Sequence, residues 1–241
     1  KKNEEKQKLL FWQSRMASLG QMLANIAHQW RQPLTELNLT LFNMKKAFSN
    51  NNSKKVDELY QDSKDLILSM SKTIEDFTNF FNPLKEKKSF KIKDSIDETL
   101  TILEKSLKKE SIKLTVDIKK DYEIFGVSNE LTQVLINLIQ NSKDAFIQNN
   151  IEKKEIKITI KEEKSFDKKY IILEIEDNAG GIKDDNIDKI FEPYFTTKHK
   201  AQGTGLGLFM SKMIIEKGFG AELSHTNIEN GSIFFIKIEL T

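Results

Sequence analysis

The sequence predicts a multidomain chain of α and α+β class: a helical hairpin that pairs with a second copy into a four-helix bundle, then a two-layer α/β sandwich. Three observations predict it. Up to Pro83 the chain carries Gly only at Gly20 and Pro only at Pro33 and Pro83, and its apolar residues recur at three- to four-residue steps. The run Ser49-Asn50-Asn51-Asn52-Ser53 is turn chemistry that cuts this helical stretch in two. After Pro83, period-two apolar runs alternate with helical patterns.

In the first helix the stripe runs through Leu9, Trp12, Met16, Leu19, Leu23, Ile26, Trp30, Leu34, Leu37, Leu41, Met44 and Phe48. At 1.5 Å per residue, residues 4–48 would span roughly 67 Å, too long for anything in this chain to cover except the next helix. The second stripe is Val56, Leu59, Ser63, Leu66, Met70, Ile74, Phe77 and Phe81, ended by Pro83. Two hairpins of this kind make a bundle, so the expectation is a homodimer. Residues 1–83 form this unit, 84–93 a lysine-rich connector, and 94–241 the second domain, beginning with a helix over 94–109. Strands are expected at Ile112–Ile118, Ile156–Ile160, Tyr170–Ile175 and Ile233–Leu240, with helices at Leu131–Phe146 and Leu206–Glu216. Interleaved strands and helices of this length describe a two-layer sandwich.

The 241 residues allow one or two domains. With 38 basic and 36 acidic residues the formal charge is 38 − 36 = +2, which argues against a nucleic-acid partner held by charge. No run approaches the ~20 apolar residues of a membrane span. The absence of Cys removes disulfides, a thiolate nucleophile and zinc–cysteine sites. The chain opens Lys1-Lys2-Asn3-Glu4, without Met or a signal-peptide pattern. It reads as a cytoplasmic piece of a longer protein, continuing upstream of Lys1–Lys8 into a sensor or a membrane anchor.

Three strings in the second half point to chemistry. Asn137 and Asn141 lie four apart on a helix and share a face; amide oxygens suit Mg2+ already bound to phosphates, although the string alone reads more readily as a polar helix surface. Asp177-Asn178-Ala179-Gly180-Gly181-Ile182 follows a strand. Tandem Gly lets backbone pass close to a ligand, and the carboxylate can accept from an exocyclic amine, but an ordinary turn fits too. Gly203-Thr204-Gly205-Leu206-Gly207-Leu208 opens a helix and offers backbone N–H groups to phosphate. It is not a Walker loop, which requires Gly-x4-Gly-Lys-Ser/Thr. Nor does it follow a strand closely, as a Rossmann fingerprint should. Before it, Phe191-Glu192-Pro193-Tyr194-Phe195 and the polar run from Thr196 to Gln202 suggest a lid with a hydrophobic anchor.

In this order and spacing the three strings resemble the ATP-binding domain of the Bergerat fold, shared by sensor histidine kinases, gyrase-type ATPases and heat-shock chaperones, over roughly residues 90–241. The resemblance implies that Asn141, helped by Asn137 and followed by Asp144, holds Mg2+. It implies that Asp177 reads adenine, with Gly181 and Ile182 close to the base. It places Gly203, Thr204, Gly205, Leu206 and Gly207 at the phosphate-side hinge and makes Lys198 a phosphate contact. The ATPase branches resemble Glu-x-x-x-Asn-x-x-Asp-Ala, where the Glu activates water. This chain has Asn137 at the place of that Glu, and without a base water is a poor nucleophile.

Another acceptor stands in the first helix, within Ile26-Ala27-His28-Gln29-Trp30-Arg31-Gln32-Pro33-Leu34. His28 lies about 200° around the helix from Ile26 and Trp30, away from the stripe, and an imidazole of ordinary pKa is roughly three-quarters neutral at pH 7. The string resembles the phosphoacceptor motif His-Glu-x-x-x-Pro-Leu of bacterial sensor histidine kinases, over residues 10–82. It departs from that motif at Gln29, which cannot serve as the proton acceptor. Gln32 stands where the family orients water for dephosphorylating its partner. The resemblance implies a two-component kinase that phosphorylates His28 from ATP and passes the group to an aspartate of a response regulator receiver domain. A phosphatase activity toward that partner is also implied. The alternatives are a gyrase-like ATPase and a non-catalytic nucleotide-binding signalling dimer.

Overall fold

The computed structural model describes residues 31, 33–80, 86–165, 167–198 and 205–240. They fall into two compact units, a helical one of Lys1–Pro83 together with Thr197–Thr204, and an α/β one of Leu84–Thr196 and Gly205–Thr241. His28, Gln29, Gln32, Gly203 and Thr204 lie outside the described residues.

In the helical unit, helix α1 covers 33–49 and α2 covers Ser53–Phe80. The turn between them is the expected asparagine run: Asn51 takes φ 55°, and Asn52 Oδ1 accepts from the Lys55 backbone N–H at 3.0 Å, capping α2. Leu59, Ser63 and Leu66 bury one stripe of α2, with Ala47 buried on α1. The α1 stripe divides. Leu37 and Met44 are half-buried, while Leu34, Leu41 and Phe48, spaced seven apart, stay 50%, 49% and 75% exposed. A single neighbouring helix covers one side of a stripe this wide, so the other side remains open.

The α/β unit starts inside the expected connector: β1 is Lys88–Lys91, and α3 is Ile92–Lys109. Then follow β2 Lys113–Ile118, β3 Glu123–Gly126, α4 Ser128–Gln148, β4 Glu155–Ser165 and β5 Lys168–Asp177. A short α5, Asp184–Ile187, precedes α6, Gly207–Met213, which runs on through a π-helical turn at Ile214–Gly218. Strands β6 Glu222–Ile228 and β7 Gly231–Leu240 complete the unit. The main sheet has five strands in the order β2-β4-β5-β7-β6, and β1 pairs with β3 in a separate ribbon. Only the β2–β4 pair is parallel.

Strand alternation explains the layering. Ile156, Ile158 and Ile160 on β4, Ile171, Leu173 and Ile175 on β5, and Phe234, Ile236 and Ile238 on β7 are buried against the helices. From α3 and α4, Ile92, Ile96, Leu131, Leu135, Leu138, Ile139 and Phe146 fill the space above them. The β5 period carries one residue further, so Asp177 takes the next place on the buried face. A carboxylate thus ends a row of core aliphatics. Ile214 and Ile215 are adjacent and both buried, which brings the widened π turn against the sheet where the sequence predicts a helix over Leu206–Glu216. Among the described residues no helix is long and apolar enough to cross a membrane.

Candidate functional site

Asp177 is 5% exposed, and its burial is possible because three donors meet it. The Ser142 hydroxyl of α4 donates to Oδ2 at 2.6 Å, the Ser232 hydroxyl of β7 donates to Oδ2 at 3.2 Å, and the Ala179 N–H donates to Oδ1 at 3.0 Å. An ionised carboxylate offers about four acceptor sites, so capacity remains for one more donor. The strand register brings Ser232 opposite Asp177, and Gly231 beside it has no room for a side chain, since a β-carbon there would fall 1.8 Å from the Asp177 carbonyl oxygen.

The loop beyond Asp177 is held at nearly every residue. Asn178 accepts from the Glu155 N–H at 2.8 Å and donates to the Lys153 carbonyl at 2.8 Å. Asn149 donates to the Ala179 carbonyl at 2.6 Å. Asn227 of β6 accepts from the Ile182 N–H at 2.8 Å and donates to the Ile182 carbonyl at 2.6 Å. Gly180 and Gly181 take φ of 93° and 72°, a region in which L side chains are strained. The result is a rigid, glycine-faced loop beside a buried acceptor, a surface that a flat ligand bearing an amine can approach.

Asn137 and Asn141 stand one turn apart on α4, with Asn141 and Asp144 half-buried. The Asn137 amide nitrogen donates to Ser211 Oγ on α6 at 2.9 Å. Gly207 packs so closely that a β-carbon would fall 2.3 Å from the Asn137 amide oxygen. Leu206 is buried where α6 begins. Tyr194 and Gly205 join the two ends of the intervening segment: the Tyr194 N–H donates to the Gly205 carbonyl at 2.8 Å, with φ of 70° and 65° at the two residues. Burial pushes the Tyr194 phenol pKa up. Phe191 anchors the segment, its ring edge-on to Phe234 at 6.4 Å and under the Lys212 ammonium at 4.7 Å. Lys198 is half-buried. Among the described residues no three His, Cys, Asp or Glu side chains converge on a metal position.

The structure thus brings Asn137 to Gly207 and Ser211 on α6, and sets Gly181 and Ile182 in the held loop that follows Asp177. Ser142, Ser232, Asn227, Asn149 and Gly231 were not among the expected residues. Their role comes from strand register and helix packing, and a serine beside Asn141 or after a turn glycine carries no signal of it.

A family described as histidine kinase-, DNA gyrase B-, and HSP90-like ATPase matches residues 126–241. The two-component sensor PprA of Pseudomonas aeruginosa is 29% identical over 235 residues, covering 94% of this chain and 25% of PprA. Sporulation kinase B of Bacillus subtilis is 29% identical over 237 residues, covering 95% of this chain and 51% of the kinase. Among solved structures, the catalytic domain of histidine kinase ThkA is 31% identical at a TM-score of 0.54, over 64% of this chain and 95% of that one. ThkA in complex with response regulator protein TrrA gives a TM-score of 0.65 at 27% identity, over 95% of this chain and 64% of that one. The chain therefore spans between a quarter and about half of the length of these curated relatives.

Proposed function

Since the chain belongs to the sensor histidine kinases, we propose that it phosphorylates its own His28 from ATP and passes the phosphoryl group to an aspartate of a response regulator receiver domain. The observation that carries this reading is Asn137. At the place where a water-activating Glu would stand, the chain has an amide tied to α6 through Ser211, and an amide is no general base. A γ-phosphate held here has no activated water to attack it, which favours transfer to an imidazole.

ATP is the substrate in this reading. Asp177, with one acceptor site to spare, takes the exocyclic amine of adenine, and the Gly180–Gly181 backbone admits the flat base. The Gly205–Gly207 backbone and Lys198 take the phosphate end, with Gly203 and Thr204 between them in sequence. Asn141, assisted by Asn137, would hold Mg2+, which when bound supplies charge neutralisation on the phosphates. The neutral imidazole of His28 attacks the γ-phosphorus, the bond to the β-phosphate oxygen breaks, and ADP leaves. Gln29 cannot take the imidazole proton, so a carboxylate elsewhere or solvent does, and Gln32 would orient the water that hydrolyses the phosphoryl group from the aspartate of the response regulator.

The uncovered row Leu34, Leu41 and Phe48 supports a homodimer through the helical unit, since exposed apolar stripes of this spacing pair with a second helix pair. The complex of ThkA with TrrA supports a response regulator as partner. The chain covers 25% of PprA and 51% of sporulation kinase B, which leaves room in a longer protein for a separate sensor module. The test is incubation with γ-labelled ATP and Mg2+. An acid-labile, alkali-stable phosphoprotein is expected, and steady phosphate release with no stable label would favour the gyrase-like alternative.

A further inference from the structure

Among the described residues, the two ring nitrogens of His225 are the only buried side-chain polar atoms without a hydrogen-bond partner. A neutral imidazole carries one donor and one acceptor, and an apolar residue at the same place would leave neither unpaired, so the histidine calls for a reason. Its position offers one. His225 lies on β6 two residues before Asn227, on the same strand face, and Asn227 grips both backbone groups of Ile182 in the glycine-faced loop. Across the strand it faces Phe234, with ring centroids 4.9 Å apart. Phe234 in turn meets Phe191, the anchor of the segment that leads to Gly205. His225 therefore packs on the ring that meets the Phe191 anchor, and shares a strand face with the residue that holds the glycine-faced loop.

We propose that His225 is a positioning residue that makes nucleotide binding proton-sensitive: the neutral ring keeps Phe234 and the Asn227-held loop in the arrangement that receives the nucleotide, and the imidazolium disturbs that arrangement. This rests on the ATP-binding reading given above. Burial pushes the His225 pKa below 6.5, and the Asp177 carboxylate pulls it partly back. The charged group that acts on it is Asp177 on β5; Lys212 lies over the Phe191 ring, with its ammonium 3.7 Å from the Glu216 carboxylate. From β7 come Phe234 and Ser232, which carry no charge. An imidazolium would compete for the Asp177 carboxylate with the amine of the base, and it would place a charge among aromatic rings. Both effects make the nucleotide-bound chain hold that proton less tightly than the free chain. By linkage, acid then weakens binding.

The test is calorimetric titration of the full chain with ADP and Mg2+ from about pH 7.5 to about pH 5.5, across the range where histidine titrates. Mg2+ offsets the phosphate charge. Wild-type affinity should fall toward acid, by about tenfold for each unit by which nucleotide binding lowers the imidazole pKa. His225→Leu and His225→Gln should lose that His225-dependent part of the slope. The first keeps the packing and the second keeps the polarity, so either reads the proposal if the other does not fold. A purely structural role would shift affinity equally at every pH. Variants that keep the wild-type slope, or a wild type with no slope, overturn the inference alone. Absence of ADP binding by wild type at pH 7.5 overturns the ATP-binding reading and this inference with it.

Discussion

Gly207 and Asn137 are in such close register that any side chain on the first would strike the second: a β-carbon would fall 2.3 Å from the Asn137 amide oxygen. This approach fixes where α6 starts relative to α4, and the Asn137–Ser211 bond at 2.9 Å holds it there. Gly207→Ala should displace α6 at an overpacking cost of about 1–3 kcal/mol, weakening ATP binding by roughly 5- to 150-fold. Ser211→Ala, which removes one hydrogen bond, should weaken it by no more than about tenfold. Calorimetry on the two variants ranks them, and equal affinities for Gly207→Ala and wild type would show that this contact does not set the site.

Asp177→Asn exchanges an acceptor oxygen for a donor nitrogen inside a cradle of three donors: Ser142, Ser232 and the Ala179 N–H. Either orientation of the amide weakens the set, at about 1–3 kcal/mol for a buried polar group left unsatisfied. The variant should melt lower than wild type and should lose its preference for ATP over GTP in competition binding. Retained preference would place base recognition elsewhere.

Stability should depend on pH through His225. Its pKa is lowered in the folded chain by burial, so below its ordinary value of 6.5 the unfolded chain binds the proton more readily than the folded one. This part of the stability is complete above about pH 6.5 and declines as pH falls from there toward the folded-state pKa. Urea midpoints measured from about pH 8 to about pH 5 should converge for wild type and His225→Leu at the alkaline end or differ by a constant. They should separate in acid, with the wild type losing more. Parallel curves would show that His225 does not titrate on unfolding.

Leu34, Leu41 and Phe48 form an open apolar row on α1. Replacing Leu41 and Phe48 together with Glu puts two carboxylates into the expected dimer seam. Sedimentation should then report a monomer at concentrations where wild type is a dimer, with no loss of the α/β unit's own ATP binding. A wild-type monomer at micromolar concentration would remove the dimer from the account.

Much of this architecture is readable from period alone. Helix α4 and strands β4, β5 and β7 carry long, regular apolar patterns, and the structure places elements where those patterns lie. Strands β1 and β3 escape such reading because each has four residues and buries only Phe90 on β1 and Ile124 and Gly126 on β3. Their pairing is a matter of topology, and the lysines around Phe90 look like a connector. Asp177 stands out in sequence by its glycine neighbours, but its hydroxyl partners are 35 and 55 residues away and arrive only through packing and register. The first-helix stripe reads as one surface, and the divided burial of Met44 and Leu41 shows that it serves two. His225 looks like an unremarkable strand residue until its ring is seen to be sealed without a partner.

In the proposed reaction His28 receives the γ-phosphate of ATP. Wild type and His28→Gln, incubated side by side with γ-labelled ATP and Mg2+ and then split between acid and alkali, test it directly. Wild type should carry label that survives alkali and is lost in acid, and the variant should carry none. Equal labelling of the two proteins would contradict it.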